Sequence, residues 1–151
     1  RTKLAKEVER ALAENKRVLA IDPFYFGESK IRTHDFLFAI LVAAVGERPL
    51  GIQASQVAAS ARWLRDKAGT TVQIHSYGPR SSLFALIATV LEKKAIGSLE
   101  AHDSLKSLKE ILSNNWGANK FPELLCFGLL EHFDIPLLKS LAQPCKVNLL
   151  P

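Results

Sequence analysis

Methionine is missing altogether from the 151 residues, and cysteine occurs only twice, as Cys126 and Cys145. Two thiols supply neither a disulfide framework nor a plausible zinc site, so both are expected to be small buried hydrophobes. Long apolar runs are lacking too. Phe36 to Val45 falls well short of the ~18–20 residues of a membrane span, which argues against a membrane partner. No signal peptide is visible, but a chain that begins on Arg1 and contains no Met gives that absence no weight. Nor do the basic residues cluster. The net charge is +5, yet Lys3, Arg10, Lys16, Lys93 and Lys106 are interspersed with acids. Such spacing suits solvated helix faces and not a nucleic-acid patch. No phosphate loop, dinucleotide fingerprint or metal-ligand spacing is present, so the reading includes no cofactor and no metal.

What is present is an alternation of short apolar runs with amphipathic or wholly apolar helical stretches. Thr2 to Asn15 places Leu4, Val8, Ala11 and Leu12 on one helical face. Arg17–Asp22 is an apolar run ending on an acid before Pro23, the pattern of a parallel strand buried on both faces. A loop with Pro23, Gly27 and Ser29 follows, and Thr33 or Asp35 is placed to cap a helix running to about Val45. Gly46 and Pro49 break that helix. Ile52–Lys67 is the next one, with Gly69 at its C-terminal cap. Thr71–His75 reads as a second strand, Pro79–Lys93 as a helix apolar on every side and therefore buried, and Ala95–Ala101 as a third strand. Helical segments are expected at Ser104–Leu112, Pro122–Leu130 and Ile135–Ala142, with a last strand at Cys145–Leu150. This alternation predicts a single doubly wound α/β domain: a mostly parallel sheet with helices on both faces.

The most informative stretch is Ile74-His75-Ser76-Tyr77-Gly78, between a strand and an apolar helix. A serine at a sharp strand-to-helix turn is the nucleophile elbow of acyl-transfer enzymes, because the turn lifts the hydroxyl above the strand ends and aims backbone N–H groups at the oxyanion. With "RVLAIDPFYFGES" before it and "HFDIPLLKSLAQPCKVNLL" after it, the chain resembles the α/β-hydrolase superfamily, in its acetyl xylan esterase and dienelactone hydrolase-like branch. Asp22, Gly27 and Ser29 match the loop ahead of the elbow, while Tyr25 stands where a glycine is usual. Ile74 and Pro79 depart from the small residues that normally flank the elbow.

The resemblance implies an ester hydrolase acting on a small-molecule or carbohydrate ester, with Ser76 as nucleophile and the Tyr77 N–H as one oxyanion donor. Arg80 is a candidate substrate contact, with pairing to an acid as the alternative. In the superfamily an acid and then a histidine follow the serine; within the chain Asp103 and His132 have that order, although the usual positions would fall beyond Pro151. The resemblance also places a strand upstream of Arg1, between Arg17–Asp22 and Thr71–His75. The domain is thus expected to be partial, its N-terminal strands outside the chain and its last strand open, and completed by the rest of its own domain or a second copy. Two other readings stand beside this one. One is a non-catalytic hydrolase-like domain that binds a carbohydrate or a protein. The other is a flavodoxin-like binding domain in which the four strands close ranks.

Overall fold

The computed structural model describes residues 2–30, 33 and 35–151. Among these, α1 (Thr2–Ala13) precedes a stretch with neither helix nor strand and a short 3-10 turn (Gly27–Ser29). Then come α2 (Asp35–Ala44) and α3 (Pro49–Ala68), followed by β1 (Val72–Tyr77), α4 (Pro79–Leu91) and β2 (Ile96–His102). The C-terminal part holds α5 (Lys109–Ser113), a 3-10 turn (Pro122–Leu124), α6 (Leu129–His132), α7 (Ile135–Leu141) and β3 (Lys146–Leu149). His34, which the sequence suggests as a loop or capping residue near the start of α2, lies outside the described residues.

The sheet is parallel, in the order β1-β2-β3. After a register irregularity at Val72/Gln73, Ile74 pairs with Leu99, Ser76 with Ala101 and Tyr77 with His102. Leu99 pairs in turn with Val147. Side chains alternate along a strand, so Ile74, Ser76, Leu99, Ala101, Val147 and Leu149 share one face. The helix α4 packs on that face, flanked by α3 and α7. Leu83, Leu86, Ile96 and Leu99 are almost completely buried there, each contributing about 1.5–3 kcal/mol. This explains why the sequence of α4 is apolar all round: sheet and helices surround it.

Caps set the helix boundaries. Pro49 occupies the first turn of α3, where no N–H is needed, and starts the helix earlier than Ile52. Gly69 closes it with φ 72°, its N–H donating to the Arg65 carbonyl at 2.7 Å. The helix expected from Ser104 begins only at Lys109, because the Ser104 N–H and hydroxyl both donate to the Leu150 carbonyl at 3.0 Å. Pro122–Leu130 is interrupted as well: Gly128 sits at φ 81°, and Glu123 is held by Arg80.

Two expectations are corrected. Arg17–Asp22 is not a strand of this sheet, so the four strands do not close ranks. It forms neither helix nor strand, with Val18, Leu19 and Ile21 about 40% exposed (41%, 43% and 39%). An apolar pattern favours extended backbone, but a strand needs a paired neighbour to persist, and the described residues supply none. Helices also fail to cover both faces. The face opposite α4 carries Gln73, His75, Tyr77, Ser98, Glu100, His102, Lys146 and Asn148 by register. Four of these eight, Gln73, His75, Lys146 and Asn148, are exposed, so the face is solvated where a three-layer arrangement would bury it.

Candidate functional site

Ser76 lies within β1, before its last residue, and its side chain points toward α4. It is 5% exposed, and its hydroxyl sits 3.3 Å from that of Ser82, which also approaches the His102 carbonyl at 3.3 Å. The strand-to-helix turn itself is made by Gly78, with φ 95° and ψ 161°. A strained elbow would place its serine in the left-handed region, but among the described non-glycine residues only Asn15, Tyr25, Asp103 and Asn115 have positive φ. No histidine hydrogen-bonds to Ser76 among the described residues.

The other candidates lie elsewhere. Asp103 is exposed in the turn after β2, at φ 51°. His132 is exposed at the end of α6. The Gly78 N–H donates to the His102 carbonyl at 2.8 Å, so the preceding N–H, that of Tyr77, points the opposite way, to the unpaired edge of β1. Arg80 is engaged structurally: its guanidinium contacts the fully buried carboxylate of Glu123 and lies 4.6 Å from the centre of the Phe26 ring. That pairing ties the first turn of α4 to the Pro122–Leu124 turn, in place of the proposed substrate contact.

Ahead of α2, Asp22 organises the turn around Gly27. The Asp22 carboxylate accepts the Glu28 N–H at 3.1 Å, and the Asp22 carbonyl accepts the Ser29 hydroxyl at 3.1 Å. A Cβ on Gly27 would fall 1.9 Å from the Asp22 carboxylate, so only glycine fits. Tyr25, which replaces the usual glycine, indeed adopts a left-handed φ of 69°, and its ring is buried beside Phe24 and Phe38.

The grouping that sequence reasoning missed lies on the polar sheet face, at the C-terminal ends of β1 and β2. His75 pairs with Glu100 and Tyr77 with His102. The Nε2 of His102 lies 2.9 Å from a Glu100 oxygen, and Nδ1 of His75 lies 3.9 Å from the same oxygen. The Tyr77 ring stacks on the His102 imidazole at 4.7 Å and 4°. Burial, then Glu7 and Glu100, push the Tyr77 phenol above its ordinary range. The available signal was the alternation in His75-Ser76-Tyr77 and Glu100-Ala101-His102, but strand register was needed to join the two.

Neither thiol is set up as a nucleophile. Burial pushes Cys126 up, against the opposing pull of Arg48, and burial likewise raises Cys145, whose Sγ contacts the Ile96 carbonyl at 3.0 Å. No family model matches the chain, and neither does any curated protein or solved structure.

Proposed function

We propose that this chain is a non-catalytic, hydrolase-like binding domain whose partner is a protein that contributes an extended strand. The observation that carries this reading is the state of Arg17–Asp22. The segment is apolar and belongs to no helix or strand, and among the described residues no backbone hydrogen bond involves residues 17–21. The outer edge of β1 is open in the same way, since among the described residues β1 pairs with β2 alone. A row of free N–H and C=O groups is a template for strand addition, in which main-chain bonds supply affinity and alternate side chains supply specificity. Leu37, Ile40 and Leu41 of α2, and Val45 just after it, are also exposed. Aliphatic groups of this kind match an apolar protein surface, and give a sugar's hydroxyls nothing to bond. Such patches mark protein contacts.

Selection of a displayed peptide library on the immobilised protein, followed by amide hydrogen exchange, tests this. Enriched peptides should be apolar and extended, and should slow exchange at residues 17–21 or at the outward N–H groups of Gln73, His75 and Tyr77. If no peptide with that footprint emerges, the reading is wrong.

The order of the sequence motifs supports a second reading, a serine ester hydrolase acting through Ser76. It requires the hydroxyl to leave Ser82 and meet a base. A fluorophosphonate probe separates the two: labelling that Ser76→Ala abolishes establishes the hydrolase, and its absence in folded protein supports the binding domain.

A further inference from the structure

We propose that His75, Glu100 and His102 form a binding site for a divalent transition metal, zinc fitting best. This inference is independent of the strand-binding reading. The three side chains each offer one ligand atom, and all three atoms lie within 4.8 Å of one another. Two imidazoles and one carboxylate are a borderline donor set that suits zinc, whereas calcium and magnesium prefer oxygen ligands throughout. Ligand distances of about 2.0–2.2 Å require the three donors to close in on one centre. One oxygen of Glu100 is already 2.9 Å from one imidazole and 3.9 Å from the other, so rotation of the His75 ring supplies most of the remaining approach.

A second observation points the same way. The Nε2 of His102 is shielded from solvent and has no hydrogen-bond partner among the described residues, although it lies close to Glu100. The two groups are near but out of line, an arrangement poor for a hydrogen bond and suited to two ligands converging on a third body. A buried polar atom left in that state is unfavourable, and a cation coordinated there gives it a partner.

The surroundings support the assignment. The backbone of two paired strands fixes His75, Glu100 and His102, so little of the site has to be ordered on binding. Stacking on Tyr77 holds the His102 ring. Asn148 lies across from Glu100 on β3, and the nearest lysine on that strand, Lys146, is opposite Ser98. Three protein ligands leave one coordination position for water or for a donor from a bound molecule.

The test is titration of chelator-treated protein with Zn2+ by calorimetry, and with Co2+ by visible absorption. The expected result is saturation at one equivalent, with the strong d–d bands of low-coordinate cobalt. His75→Ala, His102→Ala and Glu100→Gln should each weaken binding more than about tenfold, beyond the lower end of what loss of a supporting residue costs; His132→Ala should not change it. Because these side chains project from a solvated face, the variants are expected to fold, and circular dichroism checks that they do. An NMR measurement on unaltered protein guards against misfolding: of the four histidines, Zn2+ should shift only the imidazole signals of His75 and His102. Absence of one-equivalent binding overturns the proposal, as does binding that survives loss of either histidine or shifts a different pair of imidazoles.

Discussion

Replacing Asp134 by alanine removes the junction between α5 and α7. Its carboxylate accepts the Leu108 N–H at 2.6 Å, the Ser107 hydroxyl at 2.7 Å and the Ile135 N–H at 2.7 Å. It therefore caps α7 and also holds the start of α5. The loss of an N-cap alone costs ~1 kcal/mol, and hydrogen bonds to a charged group contribute about 1.5–3 kcal/mol each. Water can replace the partner at Ser107, but Leu108 is 1% exposed and its N–H is left unsatisfied. Discounted for the half-exposed carboxylate, the expected loss is ~3 kcal/mol. For a chain of this size that lowers Tm by roughly 6–12 °C. Burial pushes this carboxyl up, but the bonds from Leu108, Ser107 and Ile135, with Lys109 nearby, outweigh it and hold it below the ordinary value of 3.8. A depressed folded-state value means that the stabilisation is present above the unfolded carboxylate range, around pH 4. It is lost as pH falls through the folded value. Urea unfolding of wild type, Asp134→Ala and Asp134→Asn across that range measures both effects. A loss under ~1 kcal/mol for the alanine variant at neutral pH, or a gap between wild type and the asparagine variant that does not shrink in acid, refutes the reasoning.

Arg80→Met leaves the Glu123 carboxylate, fully buried as a side chain, without its partner, and should cost about 3–5 kcal/mol in urea unfolding. Adding Glu123→Leu should recover most of that loss, giving a strong coupling in the double-mutant cycle. Ser76→Ala removes only a long contact to Ser82, so it should change stability by less than about 1 kcal/mol and leave probe labelling as weak as in wild type. Glu100→Gln removes one of the charges that raise the Tyr77 phenol, so NMR titration of the Tyr77 ring should find its pKa lower than in wild type. Because a raised folded-state value costs stability once the unfolded phenol ionises, wild type should weaken as pH rises from ~10 through the folded value, and the glutamine variant should weaken less.

Much of the framework was legible because it is encoded locally. The apolar run in Pro79–Leu91 specifies a buried helix wherever it is placed, and Gly69 carries its capping chemistry in its own identity. The strands at Val72–Tyr77, Ile96–His102 and Lys146–Leu149 were found within a residue or two, because β-favouring residues there are bounded by turns. Arg17–Asp22 shows where local encoding stops. Its side chains favour extension, but the neighbour that would turn extension into a strand is not among the described residues. The short helices around Lys109 and Leu129 failed for a related reason. Ser104 bonds to Leu150 and Glu123 to Arg80, and tertiary contacts of that kind override helical propensity.

The site was less legible than the fold, and the alternation of a strand explains why. Ser76 faces the helix layer because its neighbours His75 and Tyr77 face away from it, and a slip of one residue would exchange the two sets entirely. With Ile74, Leu99 and Ala101 buried on the inner face, that slip would put apolar side chains into water and two histidines into the core, so the register is strongly specified. In this register the Ser76 hydroxyl lies beside that of Ser82, under α4. The same constraint forces His75 and His102, separated by a helix in sequence, onto one solvated surface with Glu100 between them. The proposed metal site therefore lies beside Ser76 in sequence but on the opposite face, and that is the face that binding experiments should probe.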